Sequence, residues 1–285
     1  MTNLLLAILC ASILYFVFKL YSKYNINTFQ AIVFNYATAC LVGLVFTPRK
    51  NISLEGIFER PWLIYSFVLG FMFITVFNIL GKTSQVNGVT VASVASKMSM
   101  IIPILFGILF LNEKLSFQKI IGILLAIIAV YFVSKKSEIK TSYSTLLLPI
   151  LLFIGAGTID TSMNYIQLKF LKQNEISIFS STTFLVAFSI GISILLYQIT
   201  TKKTTFEFKN IIGGIALGIP NYFSMYFLIK ALQNPNIESA TIFTLINIGV
   251  ILLSTFFGIL FFKESLKKQN YIGILLAIIA VFLLQ

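Results

Sequence analysis

Long apolar runs, separated by short polar segments, follow one another along the whole chain of 285 residues. Each run is close to the roughly 17–25 residues that an α-helix needs to cross a bilayer. A helix satisfies its own backbone hydrogen bonds in lipid, and the runs lack the alternating pattern of barrel strands. We therefore predict ten membrane-spanning helices, at Asn3–Leu20, Phe29–Phe46, Trp62–Leu80, Val89–Leu111, Phe117–Val133, Leu146–Leu168, Ile176–Gln198, Asn210–Ile229, Ile237–Phe262 and Gln269–Leu284.

The ten predicted helices fall into two copies of one unit. The segment IGILLAIIAV at 121–130 returns unchanged at 272–281, an offset of 151 residues, and 106–130 shares 18 of 25 residues with 257–281. We predict an N-terminal five-helix repeat at 1–134, a charged linker at 135–145 and a C-terminal five-helix repeat at 146–285. Because five helices cross the membrane an odd number of times, the second copy should lie inverted. The expected fold is an all-α membrane protein with a pseudo-two-fold axis in the membrane plane.

Composition supports lipid as the solvent of this surface. Hydrophobic residues make up 58% of the chain and charged residues 11%, against roughly 45–50% and about 25% in soluble domains. The net charge of +12 comes from basic residues scattered through short loops, which is typical of a topology signal and not of a nucleic-acid partner. Histidine is absent, and the two cysteines lie within predicted helices. We therefore predict no metal site, no cofactor and no enzymatic constellation.

Two charges lie deep within predicted spans. Lys97 is eight residues into the fourth span, about 12 Å along a helix, where a cation costs at least about 2.5–3.5 kcal/mol. Asp160 is comparably deep in the sixth span, on a polar helical face that it shares with Gly157, Asn164 and Gln167. We predict that Lys97 and Asp160 face a polar cavity and bind substrate. An ion pair between them that holds the bundle together is the alternative, and the two interpretations are compatible.

Neutral polar residues within the spans are weaker candidates for the same cavity. Asn247 is the equivalent of Ser96, the neighbour of Lys97, under the 151-residue offset, so Asn247 and Lys97 should approach the pseudo-axis from opposite sides. Pro103 should kink the fourth span and free a carbonyl. The remaining candidates, each equally compatible with a tie between helices, are Asn35, Tyr36, Asn78, Asn221 and Tyr222.

Small residues recur at spacings that let membrane helices approach closely. They occur in the fifth span, in the equivalent tenth span and as a G-x-x-x-G motif in the eighth. We predict that they pack neighbouring helices together or form a homodimer interface. The residues are Gly122, Ala126 and Ala129, their counterparts Gly273, Ala277 and Ala280, and the pair Gly214 and Gly218.

With its two five-helix halves, the chain resembles the EamA-type members of the drug/metabolite transporter superfamily. Each half has a short glutamate-bearing turn before its last helix, LNEKL at 111–115 and FKESL at 262–266, followed by the IGILLAIIAV segment. The resemblance implies a multi-pass protein of the cell inner (plasma) membrane, cytoplasmic termini, a central cavity and export of small metabolites by alternating access. The distribution of Lys and Arg slightly favours the opposite orientation.

One departure bears on the substrate. Related small multidrug proteins use an acidic residue in the first helix to exchange protons for cationic drugs, whereas the first span here contains no Asp or Glu. A lysine facing an aspartate would suit a carboxylate-bearing solute or a zwitterion such as an amino acid. The expected partners are that small molecule, the lipid bilayer and a coupling ion or proton. A flippase for a lipid-linked sugar is the alternative function.

Overall fold

The computed structural model describes residues 2–46, 58–110, 116–134, 143–171, 175–232 and 239–284. Within these ranges the chain folds into α-helices joined by short turns. The helices are α1 (Thr2–Lys23), α2 (Thr28–Phe46), α3 (Leu63–Val86), α4 (Val89–Met98), α5 (Ile101–Phe110), α6 (Phe117–Ser134), α7 (Tyr143–Phe170), α8 (Ile176–Thr200), α9 (Phe208–Leu232), α10 (Ser239–Phe262) and α11 (Lys268–Leu283).

The predicted membrane-spanning helices are confirmed. Among the described residues, nine helical segments are long and apolar enough to cross a bilayer, counting α4 and α5 together as the fourth span. The tenth, α11, is equally apolar but has only 16 residues. Residues 135–142 of the predicted linker lie outside the described ranges, and α7 already begins at Tyr143.

The fourth span is interrupted, and Pro103 explains where. Proline has no backbone N–H, and its ring clashes with the carbonyl four residues earlier, here that of Ser99. The helix accordingly ends at Met98 and starts again at Ile101. The Ser99 carbonyl instead accepts a hydrogen bond from the Ile102 N–H at 2.9 Å. The predicted kink is confirmed, and it takes the form of a break between two ten-residue helices.

The helices pack into two compact units. The first contains Met1–Leu20, Ile79–Thr161 and Phe223–Gln285, and the second contains Tyr21–Asn78 and Ser162–Tyr222. Each unit combines helices from both halves of the sequence. The predicted repeats at 1–134 and 146–285 therefore do not coincide with the two units into which the helices pack.

The centre of the first unit is an antiparallel pair of repeat-equivalent helices, α6 and α11. A Cβ on Gly122 would lie 2.9 Å from Leu284 Cγ, and one on Gly273 would lie 2.6 Å from Val133 Cγ2. The 151-residue offset converts the first contact into the second, since it carries Gly122 to Gly273 and Val133 to Leu284. A contact that maps onto itself in this way is the property of a two-fold axis. The inverted repeat is thereby visible in the packing of this pair.

The second unit is built on another antiparallel pair, α2 and α8, from the second and seventh spans. A Cβ on Gly43 would lie 2.5 Å from Ser181 Oγ, and one on Gly191 would lie 2.8 Å from Val33 Cγ2. On another face of α2, the glycines of the G-x-x-x-G motif in α9 approach backbone atoms. A Cβ on Gly214 would lie 2.8 Å from the Ala31 carbonyl oxygen. The small residues therefore make contacts within the chain, as their spacing predicts.

Candidate functional site

Lys97 lies where the fourth span is interrupted. It belongs to the last turn of α4, and its side chain is half-buried. The last carbonyls of a helix carry partial negative charge, which favours a cation at this end. Gly157 brings α7 against the same break, since a Cβ there would lie 2.7 Å from the Ser99 carbonyl oxygen. The interruption thus provides polar backbone and room for a charged side chain within an otherwise apolar span.

The structure brings Asp160 to the same place. It lies on α7 one turn after Gly157, the residue that contacts the break, and its carboxylate interacts electrostatically with the Lys97 ammonium. In the break, the Ser99 hydroxyl donates a hydrogen bond to the Ser96 carbonyl at 2.5 Å. Asp160 itself is exposed. The two charges predicted to act together are neighbours in the fold.

Two of the weaker candidates also lie at this break. The Asn247 side-chain amide, on α10, donates a hydrogen bond to Met100 Sδ at 3.4 Å. Ser96 is half-buried one residue before Lys97, and its carbonyl accepts the hydrogen bond from the Ser99 hydroxyl. Four predicted site residues, Lys97, Asp160, Ser96 and Asn247, therefore surround the break within the first unit. The side chain of Asn164 lies outside the described part of the structure.

The other predicted site residues belong to the second unit. Asn221 donates a hydrogen bond from Nδ2 to Asn35 Oδ1 at 3.2 Å, which ties α9 to α2. The other side-chain nitrogen atom of this contact, Asn35 Nδ2, is buried and makes no hydrogen bond with the described residues. Asn78 donates to the Ile74 carbonyl of its own helix at 2.7 Å. These amides stabilise helix contacts and helix backbone.

The two tyrosines of the second unit pack among aromatic rings. Tyr36 is fully buried with its ring centroid 5.6–6.4 Å from those of three phenylalanines, Phe73, Phe77 and Phe184. Within the described residues its hydroxyl has no hydrogen-bond partner. Tyr222 stacks on Phe46 at 6.1 Å. The contacts of both rings are those of core residues, and the Tyr36 hydroxyl adds an unsatisfied buried polar group.

Sequence reasoning missed a buried polar residue in the second unit. Ser181 on α8 is 2% exposed, and its hydroxyl makes no hydrogen bond to the described residues. It faces Gly43, whose missing side chain leaves the space that the hydroxyl occupies. A serine in an apolar helix has no distinguishing sequence pattern, so only the packing identifies it.

Comparisons with known proteins agree with this architecture. The profile of the EamA-like transporter family matches residues 1–135 and again residues 147–285. An uncharacterized protein of Haemophilus influenzae is 31% identical over 290 residues, which cover 100% of this chain and 97% of that protein. A protein of known crystal structure matches over 97% of both chains with a TM-score of 0.56 and 12% identity, which is a likeness of fold. The chain is thus a multi-pass membrane protein that belongs to the EamA-like transporter family.

Proposed function

We propose that the protein exports a small, carboxylate-bearing solute of amino-acid type by alternating access, with Lys97 and Asp160 as the binding groups. The observation that carries this proposal is that an ammonium and a carboxylate lie on neighbouring helices beside a break in the middle of an apolar span. A charge at that depth is costly unless it is paired or faces water. An exposed carboxylate at that depth is costly unless water reaches it or a cation pairs with it, which supports an aqueous solute pathway.

A zwitterion would exchange partners with this pair at little cost. Its carboxylate would bind the Lys97 ammonium and its ammonium would bind the Asp160 carboxylate, so that neither protein charge is left unpaired. The empty site would then be held closed by the same charges that open for substrate.

Asn247 would complete the site with a donor that is easily released. A thioether sulfur is a weak acceptor, and Met100 Sδ accepts the bond from Asn247 Nδ2. Transfer of this N–H to a substrate oxygen would therefore replace a weak hydrogen bond by a stronger one. Discontinuous spans that present polar backbone at mid-membrane are the usual setting of such sites in transporters.

The test is uptake into proteoliposomes of a panel of radiolabelled L-amino acids and organic acids. We expect saturable uptake of at least one panel member by the wild type, and its loss in Lys97→Ala and Asp160→Asn. Lys82→Ala is the matched control, because Lys82 is exposed in the last part of α3. Uptake by Lys97→Ala at the wild-type rate would refute the proposal.

The flippase alternative is measured in the same vesicles with a fluorescent lipid-linked sugar. Movement of that lipid between leaflets without uptake of any panel member would favour the flippase. Direction is measured by comparing vesicles that contain the protein in each orientation. We expect net movement away from the face that corresponds to the cytoplasm.

A further inference from the structure

The glutamate in the turn between α10 and α11 has an unusual set of partners. Glu264 Oε1 accepts a hydrogen bond from the Val89 N–H at 2.6 Å. Oε2 accepts from the Thr90 N–H at 3.3 Å and from Thr90 Oγ1 at 3.1 Å. These N–H groups belong to the first turn of α4, where a helix leaves its donors unsatisfied. The carboxylate thus caps a helix to which it is not covalently adjacent.

Two glycines make the space for this carboxylate. Gly88, which precedes α4, has φ 107°, a conformation that side-chain-bearing residues rarely adopt. A Cβ there would lie 2.7 Å from Glu264 Oε1, and a Cβ on Gly258 would lie 2.6 Å from Oε2. The turn is also held by its backbone, since the Glu264 N–H donates to the Gly258 carbonyl at 3.1 Å. Glycines from two separate segments therefore form a socket that fits this side chain.

The helix that the carboxylate holds is the one that carries Lys97. α4 has only ten residues and is separated from α5 by the break. Because α4 does not continue into α5, the rest of the fourth span does not fix the position of α4 along its axis. Lys97 follows Thr90 by seven residues, or about 10.5 Å of helix. A negative charge at the first turn and a positive charge at the last are both favourable to the helix dipole.

We propose that Glu264 is a positioning residue, whose carboxylate fixes α4 along its axis and so sets the depth and direction of the Lys97 ammonium. This assignment rests on the proposed binding function of Lys97. It gives a role to the glutamate-bearing turn of the second repeat, FKESL at 262–266, for which the sequence alone indicates no function. The equivalent glutamate of the first repeat, Glu113, lies outside the described residues.

The test measures the position of residue 97 without any substrate. Cys10 and Cys40 are replaced by alanine, Lys97→Cys is introduced as a reporter, and its modification by the water-soluble reagent MTSES is timed in membranes. We expect Glu264→Ala and Gly88→Ala each to change the rate by at least about fivefold, since a shift of one residue rotates a side chain by roughly 100°. Thr90→Val, which removes one hydrogen bond, should have a smaller effect, and Thr90→Ser should restore the parent rate.

Two controls separate positioning from general loosening. A Thr158→Cys reporter, exposed on α7, should keep its rate in all these variants. Glu207→Gln should leave the Lys97→Cys reporter unchanged, because Glu207 is an exposed loop carboxylate that pairs with Lys209.

Equal reporter rates in the parent and in the Glu264 and Gly88 variants, including no reaction in any of them, would overturn the inference. So would an equal change at both reporters. If Glu264→Ala fails to fold, the comparison of Thr90→Val with Thr90→Ser decides in the same way. Failure of the proposed transport function is distinguishable from failure of this inference. It would be observed as normal uptake by Lys97→Ala, whatever the reporter rates are.

Discussion

The fourth and ninth spans occupy the same position in the two repeats, yet they differ where the candidate site lies. The fourth is broken after Met98, whereas α10 runs without interruption over Ser239–Phe262. The 151-residue offset pairs Pro103 with Ser254 and Lys97 with Ile248. Ser254 has a backbone N–H, and its hydroxyl donates to the Ile251 carbonyl at 3.1 Å. One copy thus presents a charge at a break, and the other is a continuous apolar helix.

The packing residues show the opposite behaviour. Gly122 and Gly273 make equivalent contacts in the pair of α6 and α11. The two alanines that follow each glycine in its helix are fully buried. The duplication has therefore retained the small residues that bring helices together and changed those at the centre of the fourth span. We infer that the site depends on residues that differ between the two repeats. The packing of the helices depends on small residues that the repeats share.

The largest expected effect comes from breaking α10 as the fourth span is broken. Ser254→Pro removes one backbone hydrogen bond and places the ring against the Val250 carbonyl, which costs about 3 kcal/mol or more in a helix interior. The apparent melting temperature of the detergent-solubilised protein should fall well below that of Ser254→Ala, which loses only the hydroxyl. Equal melting temperatures would show that α10 tolerates the break.

Next in size is the loss of transport in Lys97→Ala. A hydrogen bond to a charged group contributes about 1.5–3 kcal/mol, which corresponds to at least a tenfold decrease in uptake efficiency in proteoliposomes. The matched variant is Ile248→Ala at the equivalent position of α10, for which we expect a change within about twofold per folded molecule. Similar losses in both variants would remove the functional difference between the two spans.

The two repeated glycines of the α6 and α11 pair also differ in what they contact. A Cβ on Gly273 meets the Val133 backbone nitrogen at 2.9 Å, while the three nearest atoms at Gly122 all belong to side chains of Leu283 and Leu284. Backbone yields less than side chains, so Gly273→Ala should be destabilising by about 1–3 kcal/mol and Gly122→Ala by less. Thermal unfolding of both variants measures the difference, and a larger loss in Gly122→Ala would contradict the contacts described.

The smallest effect on stability is expected for Pro103→Ala. The new N–H at residue 103 can bond the Ser99 carbonyl and make the fourth span continuous, so the melting temperature should be unchanged or slightly higher. Uptake should decrease, because a continuous helix offers less polar backbone beside Lys97. Normal uptake together with a continuous helix in a structure of the variant would show that the break is dispensable.

Much of this fold follows from the sequence, for identifiable reasons. A helix in lipid needs a long apolar run, so the hydropathy pattern places the spans, and Pro103 predicts where the fourth span is distorted. The offset of 151 residues, with five spans in each copy, predicts inverted repeats, and the antiparallel pair of α6 and α11 agrees with that prediction. The proximity of Lys97 and Asp160 follows from the cost of isolated charges in lipid.

The hydrogen-bond partners of the neutral polar residues could not be predicted from the sequence. Asn78 bonds its own helix and Asn35 bonds Asn221, and an amide in an apolar helix fits either arrangement equally well. The socket of Glu264 was not predictable because Gly88, Gly258 and Thr90 approach each other only in the folded chain. The composition of the two units, with helices from both halves, is likewise a result of packing between distant segments.

The most direct test compares cysteines at the two equivalent positions, Lys97→Cys and Ile248→Cys, in a protein whose native cysteines are replaced by alanine. The membrane-impermeant thiol reagent MTSES is applied from each side of sealed membranes. We expect residue 97 to react at least about a hundredfold faster than residue 248, because the thiolate that reacts forms in water and not in lipid. Equal rates, or reaction of residue 248 alone, would contradict an aqueous site at Lys97.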